Sequence, residues 1–160
     1  MIRLMASVML ILAPTGSAIA ACPQDLAVYE GVEGIGELNF RGGSAEATRQ
    51  IALLYPEVEP VIGYLTADPV IGRIEMVIPL NCPQGDVTGE ELAECVVYSS
   101  ALYAINHAGD VSPLPQSEAP AAEQILLPNL ASALWENPQF DDSGPKSHPA
   151  EIFKLAGCQE

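Results

Sequence analysis

The sequence predicts an α+β fold, with an antiparallel β-sheet in the N-terminal and central part and short helices toward the C-terminus. Three observations carry this. Stretches such as "GELNFR" and "RIEMVIPL" alternate apolar and polar residues with the period of a half-buried strand. After the proline-rich connection "PLPQSEAPAAEQ" the apolar residues take helical spacing. Strands therefore come first and helices last, which argues against an alternating parallel α/β sheet.

"GIGELNFRGGSAEATRQIALL" reads as a β-hairpin. Leu38 and Phe40 share one face, while Glu37, Asn39 and Arg41 share the other. Gly42-Gly43 supplies the tight turn, and the return strand runs from about Ala45 to Leu54. "EPVIGYLT" is a third strand, its start restricted by Pro60. In the fourth, Ile74, Met76, Ile78 and Leu80 point inward against Arg73 and Glu75.

Thr88 followed by Glu91 has the spacing of a capping box, so a short helix up to about Cys95 is expected. The β-branched and aromatic residues of "VVYSSALYAI" favour a strand, and "NHAGDVSPLP" is a turn with a short return strand. Pro128 divides "AAEQILLPNLASALW" into two short helices. "HPAEIFKLAG" is expected to be a last helix, with Pro149 near its first position and Gly157 at its C-terminal cap.

Residues 1–20 have the parts of a secretory signal peptide: Arg3, a short apolar run from Leu4 to Ala13, then small residues. The run is shorter than the roughly 20 apolar residues a membrane-spanning helix needs. Residues 21–160 are then a single exported domain, periplasmic or secreted. "IAAC" resembles the bacterial lipobox, which makes a lipid anchor at Cys22 the alternative localisation. Parity favours free export: Cys22, Cys82, Cys95 and Cys158 pair completely only if Cys22 forms a bridge. Cys82 and Cys95 flank a short loop, and Cys22 and Cys158 lie at the two ends of the mature chain, so those are the expected pairs.

The net charge is −15, and loss of Arg3 with the signal makes it −16. Five remaining basic side chains cannot neutralise a phosphate backbone, so nucleic acid is excluded as a partner. A basic protein is the partner this charge permits.

No catalytic, cofactor-binding or metal-ligating residue is assigned, and no cofactor is expected. His107 lies in a turn and His148 at an expected helix boundary. Ser143 to Lys146 fits S-x-x-K, but Gly144-Pro145 disrupts the helical geometry that pattern needs. "GVEGIG" lacks the last glycine of a dinucleotide loop, because Asn39 takes that position. Asp86, Thr88, Glu90 and Glu91 form one acidic cluster and Asp141-Asp142-Ser143 another; neither reproduces a calcium loop.

Acidic Glu90, Glu91 and Glu94, together with Tyr98 and Tyr103, suit a protein-binding patch. The expected function is that of a disulfide-stabilised binding or accessory protein engaging a cationic protein. The alternative is a cell-envelope hydrolase whose carboxylates are unplaced.

Overall fold

The computed structural model describes residues 22–41, 49–68, 70–83, 85, 88–135, 137–140 and 143–159. The expected signal segment, the expected Gly42-Gly43 turn, Asp86 and Asp141-Asp142 lie outside the described residues. A short 3₁₀ turn (Gln24–Leu26) leads into β1 (Ala27–Val32), β2 (Glu37–Arg41), β3 (Gln50–Leu54), β4 (Val61–Ala67) and β5 (Ile74–Pro79). Helix α1 (Gly89–Glu94) is followed by β6 (Val96–Ala101), β7 (Tyr103–Ile105), β8 (Val111–Pro113) and β9 (Gln124–Leu126). Helix α2 (Leu130–Leu134), a 3₁₀ turn (Pro138–Phe140) and β10 (Ile152–Cys158) complete the chain.

The strands form one antiparallel sheet in the order β6-β5-β4-β3-β2-β1-β10-β9-β7-β8. Only Leu102 separates β6, on one flank, from β7, near the other. A sheet whose flanks are joined by one residue has to curl until they meet, so it forms a half-barrel. Helix α2 packs on β6, and the Tyr98 hydroxyl donates to the Pro128 carbonyl at 3.1 Å.

The antiparallel registers sort the connections between two ends. The β1–β2 turn, α1, α2 and the stretch before β10 fall at one, the helix end. Cys22, Cys158, the β4–β5 turn and the β7–β8 turn fall at the other, the termini end.

Alternation along the strands fills the interior. Tyr29, Leu38, Phe40, Ile51, Leu53, Met76, Ile78, Ile125 and Phe153 are all buried there. Tyr29 and Phe40 meet with ring centroids 5.9 Å apart. Gly63 on β4 makes room for Met76, since a Cβ there would lie 2.7 Å from the Met76 sulfur. At the termini end Gln24 is fully buried, and its amide nitrogen donates to the Tyr29 hydroxyl at 3.0 Å. Its side-chain oxygen takes the Ala122 N–H at 3.0 Å, and the Tyr29 hydroxyl donates to the Ala122 carbonyl, also at 3.0 Å. Burial pushes the Tyr29 phenol up to about 12, offset in part by those two bonds.

Disulfides close both ends: Cys22–Cys158 with Cα atoms 5.7 Å apart, and Cys82–Cys95 at 5.1 Å. The capping box forms, with Glu91 Oε2 accepting the Thr88 N–H at 2.8 Å and Thr88 Oγ1 accepting the Glu91 N–H at 3.3 Å.

Sheet dominates more than the sequence predicts, and two of the expected C-terminal helices are strands. Gln124–Leu126 is β9, held between β7 and β10, and Ile152–Cys158 is β10, between β9 and β1. Segments this short are marginal as isolated helices, whereas each here is offered an open strand edge on both sides. Only Leu130–Leu134 of the expected helices after residue 120 is α-helical. Pro149 opens no helix; it bridges to Ile35.

Candidate binding groove

The helix end carries an open groove of about 500 Å³, walled by the β1–β2 turn, α2 and the residues entering β10. Glycines bring these elements together. Gly34 lies flat on the 149–150 backbone, where a Cβ would be 2.7 Å from the Ala150 nitrogen. Gly31 leaves space for the Ala150 methyl in the same way. The Ile35 N–H donates to the His148 carbonyl at 3.0 Å, and the Ala150 N–H returns to the Ile35 carbonyl at 2.9 Å. Glu33, at the turn's tip, has φ 57°, a left-handed conformation unusual for glutamate.

Across the groove, the chain leaves β9 and turns at Asn129, φ 62°, into α2. Glu151 holds both walls: its carbonyl accepts the Leu127 N–H at 2.8 Å and its Oε1 accepts the Ala131 N–H at 3.2 Å. Trp135, the single tryptophan of the chain, ends the helix and sits edge-on to the His148 ring, with centroids 5.0 Å apart. Val32, Trp135 and Ile152 are each more than a third exposed in this groove, an apolar surface water does not favour. Glu33 and Glu151 supply carboxylates, and among the described residues no lysine or arginine lines it. An aromatic face between carboxylates attracts an organic cation.

The Ser132 hydroxyl donates to the Asn129 carbonyl at 3.0 Å, so its bond is made within α2's own first turn. Among the described residues no group of three or more His, Cys, Asp or Glu is placed to hold a metal ion. Nor is any described helix long and apolar enough to cross a membrane.

The residues singled out from the sequence fall in different places. Glu90, Glu91 and Glu94 are exposed on α1 at the helix end, and Glu91 is engaged with Thr88. Tyr98 is interior, 5% exposed, and burial pushes its phenol up to about 12; it is a core residue rather than a surface contact. Tyr103 is half-buried at the start of β7, opposite Leu126 of β9 and on a different element from the glutamates. His107 is exposed and pairs with Glu123. Ser143 Oγ donates to the Phe140 carbonyl at 2.6 Å, a turn contact in place of the S-x-x-K arrangement.

Sequence reasoning missed Trp135, Glu33 and Glu151, and placed His148 only as a boundary. Glu33 and His148 meet across more than a hundred residues, through the Ile35–Pro149 bridge. The available signals were the lone tryptophan and the glycines around Glu33, in the stretch weighed only as a nucleotide loop. No protein-family model, curated protein or solved structure matches this chain.

Proposed function

We infer that this is an exported binding or accessory protein that engages a basic protein through the helix end. The two disulfides make it a disulfide-stabilised protein and fit an oxidising, non-cytoplasmic compartment. The observation that carries the reading is the groove: one tryptophan, two carboxylates, and no lysine or arginine among the described residues on its walls. A lysine or arginine side chain of the partner lays its apolar stem on Trp135 and Ile152 and its charge near Glu33 and Glu151. The net charge of −15 steers such a partner toward the protein, and exposed Glu90 and Glu94 extend the acidic surface at the same end.

A pull-down from envelope extract tests this. A basic protein is expected at low salt and lost at high salt, as the Debye length falls from about 10 Å at 0.1 M to about 3 Å at 1 M. Trp135→Ala and Glu33→Lys should abolish capture, and charge reversal at Glu90 and Glu94 should weaken it. A neutral or acidic partner held regardless of salt overturns the reading.

A second reading, a cell-envelope hydrolase, draws on Glu33 and Glu151 lining one groove. Release of reducing sugar from purified peptidoglycan, lost in Glu33→Gln and Glu151→Gln, would establish it instead.

A further inference from the structure

Cross-strand pairing carries the apolar wall of the groove onward along the outside of the sheet. Val32 stands opposite Ile152, Ile152 opposite Leu126, Leu126 opposite Tyr103, and Tyr103 opposite Pro113. These side chains form a single row across β1, β10, β9, β7 and β8, because residues paired in register share a face. The neighbouring row of Phe153, Ile125 and Ala104 is buried in the interior, so the first row faces out. Val32, Leu126 and Ile152 line the groove, and Tyr103 and Pro113 lie beyond it.

A second outward row runs beside the first and changes character along its length. It starts at Glu30, opposite both Glu37 and Lys154, passes Gln124, and ends on Ile105 and Val111. Leu126, Tyr103, Ile105, Val111 and Pro113 therefore make one apolar field over β9, β7 and β8. The first three are half-buried, and β8 is exposed along its length. A contiguous apolar field left open to water marks a contact site. Glu30, Glu33, Glu37 and Glu151 stand at the groove end of the rows, with Lys154 opposite Glu30. At the far end Arg73, beside Tyr103, is neutralised by Glu75 at 2.9 Å. The surface is thus acidic where it meets the groove and apolar where it leaves it.

We propose that the partner docks through an extended segment with one basic side chain in the groove and apolar side chains two and four positions further on. This rests on the groove reading above and adds what the partner carries besides charge. Charge complementarity selects the occupant. A second copy of this acidic chain and an anionic lipid surface are both repelled by the glutamates at the groove end, whereas a basic segment is attracted. Geometry sets the spacing. Adjacent strands lie about 4.8 Å apart, so the row from Ile152 on β10 to Pro113 on β8 covers roughly 14 Å. An extended chain advances about 3.3 Å per residue and turns alternate side chains to one face. A basic residue over Ile152 then brings the second residue after it between Leu126 and Tyr103, and the fourth over Pro113.

Trp135, the chain's single tryptophan, lines the groove, so its fluorescence reports occupancy. Two capped synthetic peptides, titrated into the purified protein at low salt, test the proposal. One carries an arginine with leucines two and four positions on and serine elsewhere; the other has serine in place of both leucines. The leucine peptide is expected to bind about tenfold tighter, through burial of its aliphatic side chains. Val111→Thr combined with Pro113→Thr should erase that advantage and leave the affinity for the serine peptide unchanged. Both positions are exposed on β8, so an unchanged unfolding midpoint is expected and shows that the variant is folded. Equal affinity of the two peptides for the wild type, or an advantage that survives the double substitution, overturns the proposal and leaves the groove reading standing. Failure of both peptides to bind overturns the two together. Dimerisation of the chain, or its flotation with neutral phosphatidylcholine vesicles, abolished by the same double substitution, would give the field to another occupant and also overturn the proposal.

Discussion

Ala101 and Tyr103 stand two residues apart, yet Ala101 pairs with Glu75 on β5 and Tyr103 with Leu126 on β9, near opposite flanks of the strand order. The residue between them, Leu102, is fully buried, and its N–H donates to the Ile74 carbonyl at 3.1 Å. Its side chain plugs the seam where the sheet meets itself. Leu102→Ala should destabilise the protein by about 2–5 kcal/mol, as large-to-small core substitutions do. Urea unfolding measures it, and a loss below about 1 kcal/mol would show that the seam is not part of the core.

The two disulfides should contribute unequally. Cys22–Cys158 spans 136 residues and Cys82–Cys95 spans 13. On the loop-entropy model these correspond to about 5 and about 3 kcal/mol. Replacing Cys22 and Cys158 with serine should therefore lower the denaturation midpoint more than replacing Cys82 and Cys95. The reverse order would mean that the β1–β10 pairing already holds the termini together in the unfolded ensemble.

Two buried tyrosines should respond oppositely to losing their hydroxyls. Tyr29 is bonded to Gln24 and Ala122, so Tyr29→Phe strands the buried Gln24 amide and should cost about 1–3 kcal/mol. The Tyr55 hydroxyl is buried with no hydrogen-bond partner among the described residues, and that burial raises its pKa well above the ordinary tyrosine range. Tyr55→Phe should be neutral or stabilising, as removal of an unsatisfied polar atom. Paired thermal melts decide this, and a destabilised Tyr55→Phe would contradict it.

Acid should loosen two turns. The N–H groups of Ile71 and then Val70 hold the Asp68 carboxyl below its ordinary 3.8. The Thr88 N–H, followed by its hydroxyl, holds Glu91 below 4.5. A carboxyl whose pKa is lower in the folded state contributes stability above its unfolded value, and that stability is lost as pH falls through the folded one. Stability should therefore stay level down to about pH 5 and decline below about pH 4.5. The combined variant Asp68→Asn with Glu91→Gln should show a shallower decline. An unchanged slope would mean that these bonds are not maintained in solution.

Much of the sheet was legible in the sequence. Period-two alternation marked β2 and β5, because a half-buried strand imposes it locally. Thr88 and Glu91 announced α1, since a capping box is complete within four residues. Cysteine parity and position in the chain pointed to the bridges that the structure contains. Each of these signals is contained in a short window or in a count.

What only the tertiary structure decided depends on residues far apart in the chain. "EQILL" and "EIFKLAG" are short apolar segments that suit a helix or a strand about equally, and the open edges of β1 and β7 made them strands. Tyr98 went to the interior because the curled sheet left α2 and Pro128, rather than water, beside its hydroxyl. The groove exists because glycines at 31 and 34 admit the backbone at Ala150, which brings Glu33 beside His148 and Trp135. Composition determined the sign of the protein's own net charge, since net charge is a sum over residues. Which side chains gather on one surface is a matter of convergence, and convergence is settled only when the chain closes on itself.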